Sequence, residues 1–156
     1  MSAEPLFAYG TLRDGDILAG VLGRRLAPGA IRPAKAPGYR AVYCPGQVYP
    51  GLALAPDSAA PGLVLDSLTP DDIAILDAFE GPLYRRATIS VVTGTGSVVV
   101  SAYLPVTPAP ADADADADAW SLEHWTLHHK PAALTPELRI AARARHDRLG
   151  AGPRQN

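Results

Sequence analysis

The period of the apolar positions changes several times along the chain, and each change marks an element. Leu6-Phe7-Ala8-Tyr9 is a short apolar run that stops at Gly10-Thr11-Leu12, the pattern of a buried first strand ending in a turn. Ile17, Leu18, Val21 and Leu22 follow at helical spacing within Asp14–Leu26, and Asp14 or Asp16 can serve as the cap. Gly20 and Gly23 weaken that helix by up to about 1 kcal/mol each, so it depends on packing. From Ala27 to Pro37, proline and glycine leave room only for a short strand around Ala30–Arg32. Gly38–Cys44, Gly51–Ala55 and Pro61–Asp66 read as further short strands, broken by Pro45-Gly46 and Tyr49-Pro50-Gly51.

The sharpest helix signal begins at Thr69. A threonine cap precedes Pro70 at the first helical position, and Asp71 and Asp72 in the first turn complement the positive end of the helix dipole. Ile73, Leu76 and Glu80 share one face, and Gly81-Pro82 stops the helix. Tyr84–Thr93 and Ser97–Leu104, joined through Gly94-Thr95-Gly96, predict a hairpin. Beyond Pro105 the character changes. Residues 107–119 are an acidic, alanine-rich low-complexity loop, Trp120–His128 is amphipathic, and a last helix runs over Pro136–Leu149 between Thr135 and Gly150. Arg139, Arg143, Arg145 and Arg148 make a solvated basic face on that helix. The expected organisation is a domain over 1–106, the acidic loop, and a helical extension over 120–156 packed on the same domain. Strands and helices that do not alternate as βαβ units predict an α+β fold: a small mixed or antiparallel β-barrel with helices outside it.

Composition narrows this picture. With 156 residues, 47% apolar and 19% charged, the chain is long enough for one globular core. Sixteen prolines and fourteen glycines argue against a helix bundle. A net charge of −2 gives no field for nucleic acid or an anionic membrane, and no apolar run has membrane-spanning length. Cys44 is the single cysteine, so an intrachain disulfide is impossible; a cytoplasmic location is the expectation.

Glu80 is the residue with chemical promise. It is in phase with Ile73 and Leu76, and both the negative end of the helix dipole and partial burial disfavour its charged form, as proton shuttling requires. Competing motifs fail on their spacing. His124, His128 and His129 lack the metalloprotease pattern, and the aspartate run has Ala117 where a calcium loop needs glycine. Cys44 has no histidine nearby in sequence, and neither a nucleophile elbow nor a phosphate-binding loop is present. No metal or other cofactor is expected.

Phe7-Ala8-Tyr9-Gly10-Thr11-Leu12, the Gly62-Leu63 strand, and Leu76-Asp77-Ala78-Phe79-Glu80-Gly81-Pro82-Leu83-Tyr84-Arg85-Arg86 together resemble the gamma-glutamylcyclotransferase-like family, from about Pro5 to Pro105. The resemblance implies a small barrel with a cavity at one mouth. It also implies a turn, Tyr9, Gly10, Thr11 and Leu12, that binds a glutamyl moiety largely through backbone amides, and Glu80 as proton shuttle. Tyr84 and Tyr103 are expected to line the cavity. The implied partner is a small γ-glutamyl compound, cyclised to 5-oxoproline. Two other readings stay open here: a non-catalytic member that binds a small metabolite or a protein, and an enzyme that removes a γ-glutamyl group from a carrier-bound biosynthetic intermediate.

Overall fold

A computed structural model describes residues 4–43, 50–106 and 121–128, together with Arg143, Arg145 and Asp147. Five strands close into a barrel in the order β1-β3-β2-β4-β5. They are β1 (Leu6–Ala8), β2 (Ile31–Tyr43), β3 (Pro50–Leu65), β4 (Tyr84–Thr93) and β5 (Gly96–Pro105). Every pairing is antiparallel except that of β1 with β5, where Leu6 lies beside Ser101. Helices α1 (Gly15–Leu22), α2 (Pro70–Glu80) and α3 (Leu122–His128) complete the α+β architecture. Cys44, the aspartate run and most of the basic terminal helix lie outside the described residues.

The pleat divides the core in two. Phe7, Ala34, Ala36, Leu52, Ala60, Val64, Ile89, Val91, Val100 and Ala102, drawn from all five strands, form one buried cluster that fills the barrel. Their alternate neighbours Leu6, Ala8, Leu65 and Tyr103 join Ile17, Leu18, Val21 and Leu22 of α1 and Ile73 and Leu76 of α2 in a second cluster, between barrel and helices. So much alanine inside the barrel leaves room for the Phe7 ring. Gly62 is where that ring comes closest: a Cβ there would lie 2.5 Å from the Ala8 carbonyl oxygen and 2.6 Å from the Phe7 ring.

The N-caps at Asp14 and Thr69 follow the sequence, whereas α1 stops short of the expected Leu26, because Gly23 takes φ 77° and caps the helix instead of continuing it. The Asp14 carboxylate accepts from the Asp16 and Ile17 N–H groups at 2.9 and 3.1 Å. At α2 the Thr69 hydroxyl accepts from Asp72 N–H at 3.1 Å while the Asp72 carboxylate accepts from Thr69 N–H at 2.9 Å, a complete capping box. Asp72 is buried and also receives the guanidinium of Arg24, which follows α1, so one carboxylate joins the two helices.

The strands between Ala30 and Asp66 depart from expectation. Instead of four short pieces there are two long ones, paired from Ile31↔Leu65 to Tyr43↔Pro50 with one irregularity between Pro37 and Tyr39. Pro33 and Pro37 read locally as breaks and Pro61 as the start of a strand, yet they fall at Pro33↔Leu63, Lys35↔Pro61 and Pro37↔Ala59, all of one parity. Antiparallel ladders alternate hydrogen-bonded with non-hydrogen-bonded pairs, so a single register keeps all three prolines out of donor positions. Gly38, at φ 82°, absorbs the irregularity.

Gly62→Ala is therefore expected to cost about 1–3 kcal/mol, because the added methyl meets a backbone oxygen and a buried ring. Gly29, where a Cβ would touch nothing within 4 Å, is the control. Urea midpoints of both variants check this: Gly29→Ala stays within about 1 kcal/mol of the parent.

Candidate functional site

β1 carries the chain out of the barrel at Tyr9. The Tyr9 ring stays buried, 6.3 Å from that of Phe7 and tilted by 31°. Thr11–Arg13 then makes a single 3-10 turn, closed by Arg13 N–H on the Gly10 carbonyl at 3.0 Å and Asp14 N–H on the Thr11 carbonyl at 2.9 Å. Thr11 and Leu12 are buried and Gly10 half-buried. Leu12 packs with the cluster under the helices, whereas Tyr9 belongs to the barrel, so the turn is anchored from both sides.

Glu80 is the last residue of α2 and is partly buried. Gly81 takes φ 72°, which turns the chain away from the helix into a 3-10 turn over Gly81–Leu83. β4 starts immediately at Tyr84, whose partly buried ring packs against the cluster under the helices. The helix end, the turn and Tyr84 thus form one continuous corner.

Tyr103 joins the corner to the first turn. Its hydroxyl donates to Asp77 Oδ1 at 2.7 Å. Directly across the ladder from Tyr103, Arg86 donates to the same carboxylate through Nε at 3.0 Å and Nη2 at 3.2 Å. The Tyr9 hydroxyl donates to the backbone carbonyl of Tyr103. The residue that opens the Gly10–Leu12 turn and the helix that bears Glu80 are therefore both bonded to Tyr103. Burial pushes the Tyr103 hydroxyl well above the ordinary tyrosine range. The hydrogen bond to Asp77 and the charges of Asp77 and Glu80 act in the same direction, against a smaller opposing effect of Arg86. Arg86 is in turn held protonated by its hydrogen bonds to Asp77.

A cleft of about 350 Å³ lies alongside, lined by Pro70, Ile73, Ala74 and Asp77 of α2 and by Glu4, Arg86 and Ser101. The four helix residues form one stripe, which Glu80 continues by a further turn. Glu4 accepts a hydrogen bond from the Ser101 hydroxyl at 2.8 Å. Of the residues singled out from the sequence, Tyr9 and Tyr103 meet directly, and Glu80 lies within electrostatic reach of Tyr103. None of Tyr9, Gly10, Thr11, Leu12, Glu80, Tyr84 and Tyr103 is among the residues that line this cleft. Sequence reasoning passed over Asp77, Arg86, Ser101 and Glu4. The signal for Asp77 was present: it precedes Glu80 by three residues on the same helix face. Strand alternation also sets Arg86, rather than Arg85, on the same side as Tyr84.

A family model described as gamma-glutamyl cyclotransferase, AIG2-like, matches residues 6–127. The chain belongs to this family. Within the gamma-glutamyl cyclotransferase, AIG2-like family, AIG2-like protein A of Arabidopsis thaliana is 30% identical over 127 residues, covering 80% of this chain and 73% of its own. A solution structure of an Arabidopsis thaliana protein, 27% identical, superposes with a TM-score of 0.63 over 90% of this chain and 92% of that one. An AIG2-like protein of Mus musculus, known from a crystal structure, is 23% identical with a TM-score of 0.54, covering 69% and 80%, and shares the fold. No helix among the described residues is long and apolar enough to cross a membrane.

The Tyr103 hydroxyl makes stability depend on alkaline pH. A group whose folded pKa lies above its unfolded value of about 10 stabilises the fold fully below that pH and progressively less above it. Tyr103→Phe should remove one proton's share of the fall in stability above about pH 10, a slope of about 1.4 kcal/mol per pH unit. Urea titrations of parent and variant at pH 8 to 11 measure the difference.

Proposed function

We propose that this protein is a cofactor-independent γ-glutamyl cyclotransferase in which Glu80 handles the protons and the Tyr9–Leu12 turn holds the glutamyl end of the substrate. The observation that carries the reading is the Tyr103 joint. Two motifs far apart in sequence, the turn after β1 and the end of α2, are tied to one residue. Membership of the family supports the reaction class.

The chemistry asks little beyond positioning. The α-amine of a γ-glutamyl compound, in its neutral form, attacks its own γ-carbonyl carbon. The new carbon–nitrogen bond closes the lactam ring of 5-oxoproline, and the bond from that carbon to the leaving nitrogen breaks. Because both reacting groups belong to one molecule, holding it in a cyclic conformation removes much of the barrier. The Glu80 carboxylate takes a proton from the attacking amine and returns it to the leaving nitrogen, so the enzyme ends as it began. The backbone amides of Gly10, Thr11 and Leu12 hold the substrate's α-carboxylate, and Tyr84 and Tyr103 flank the glutamyl chain. In this scheme Tyr103 serves only as a fixed donor, since it stays protonated through the neutral range.

Glu80→Gln keeps the shape of the side chain and removes its basicity. The variant should lose about 10²- to 10⁴-fold in the rate of 5-oxoproline release, with an unchanged circular dichroism spectrum and melting temperature. The assay measures 5-oxoproline from γ-glutamyl amino acids, γ-glutamylamines and glutathione. A Gln variant that keeps most of the activity overturns the role of Glu80. A parent protein that releases no 5-oxoproline from any of them overturns the reaction itself.

A further inference from the structure

Asp77 does more than complete a surface ion pair. It lies on α2 one turn before Glu80 and receives three hydrogen bonds from the barrel: one from the Tyr103 hydroxyl and two from Arg86. Arg86 and Tyr103 are directly opposite each other in the β4–β5 ladder, so their donors converge on one carboxylate from adjacent strands. A fork of this kind restrains direction as well as distance, because each oxygen is met from a fixed angle. The carbonyl of the same Tyr103 accepts from Tyr9, the residue that opens the Gly10–Leu12 turn. One short path therefore runs from the helix end, through Asp77 and Tyr103, to that turn.

We propose that Asp77 is a positioning residue, whose carboxylate sets the end of α2 against β5 so that Glu80 stands at a fixed place relative to the Tyr9–Leu12 turn. The inference rests on the reaction proposed above. It adds that the separation of proton carrier and substrate cradle is governed by a carboxylate that touches neither substrate nor reacting atoms. The pair's energy alone does not account for its arrangement. The Asp77 and Arg86 side chains are 41% and 43% exposed, and an ion pair at that exposure contributes little to stability. Proton transfer, by contrast, is steep in distance, and a displacement of about 1 Å is worth up to about 10²-fold in rate.

The test uses Asp77→Asn, Tyr103→Phe and the double variant, each with steady-state kinetics and a proton–nitrogen NMR spectrum of the full chain. Asp77→Asn should lower kcat about 10- to 100-fold with KM within about twofold, because the cradle is intact and only the proton carrier has moved. Tyr103→Phe removes the same hydrogen bond from the other side. The double variant should be no slower than the slower single variant, as expected for residues acting through one contact. In the spectrum of Asp77→Asn, the amides of both Glu80 and Tyr9–Leu12 should shift.

An unchanged kcat per folded molecule in Asp77→Asn, whatever its stability, overturns the inference and leaves Asp77 a structural ion pair. A raised KM at constant kcat also overturns it, and makes Asp77 a substrate contact. Losses that multiply in the double variant overturn the route through Tyr103. The spectrum separates this inference from the reaction it rests on. If the parent releases no 5-oxoproline, the reaction fails, while amide shifts confined to the neighbours of residue 77 on α2 overturn the positioning claim independently of any assay. If Asp77→Asn does not fold, Tyr103→Phe carries both arms.

Discussion

Closure of the barrel depends on a strand only three residues long. β1 lies between β3, which it meets at Leu6↔Leu65, Phe7↔Val64 and Ala8↔Leu63, and β5, which it meets at Leu6↔Ser101. A strand so short is held by its side chains more than by its ladder. Phe7 fills the barrel, while Leu6 and Ala8 face the helices, and each of the three is buried. The parallel contact with β5 makes the site possible. Only because β1 runs beside β5 does Tyr9, emerging at its end, find the carbonyl of Tyr103. The close approach at Gly62 belongs to the same constraint, since β3 must come near enough to complete the wall around the Phe7 ring.

Helix α2 is tied down by two carboxylates with different work. Asp72, buried in the first turn, closes the capping box and receives Arg24 from the end of α1. Asp77, which opens the last turn, receives Arg86 and Tyr103 from the barrel. The first fixes the helix to its neighbour helix and the second fixes it to the sheet. Between them Ile73 and Leu76 supply the apolar contact that holds the helix down. The ion pairs choose its orientation, because burial of apolar area is blind to a rotation of a few degrees and hydrogen-bond geometry is not.

How much of this could be read from the sequence follows from the range of each signal. The N-caps at Asp14 and Thr69, the Gly94–Gly96 hairpin and the end of α2 at Gly81 are decided within a few residues, and these stand in the structure as the sequence suggests. The two long strands were hidden because proline reads locally as a break. Whether Pro33, Pro37 and Pro61 interrupt a ladder depends on which partner pairs are hydrogen-bonded, a property of the assembled sheet. At the candidate site, Glu80 and Tyr9–Leu12 stand out in the sequence because they carry a family motif. Asp77 carries only half a signal, its spacing of three residues from Glu80 on one helix face. Its meaning comes from Arg86 and Tyr103, which only the β4–β5 register brings to it.

That register also narrows which group near the joint can carry a proton. Tyr103 is held protonated by burial, by its hydrogen bond to Asp77 and by nearby negative charge, so in the neutral range it can donate a hydrogen bond but not trade its proton. Arg86 is held charged by the same carboxylate. Asp77 already accepts from both, so its two oxygens are engaged by the fork at the helix end. Tyr103 and Arg86 are therefore each committed to a single state, and Asp77 is taken up by the hydrogen bonds between them. A proton carrier must instead change state without disturbing the scaffold, which requires a carboxylate on the same rigid element but outside the fork. In the proposed reaction that part falls to Glu80, one turn further along the stripe.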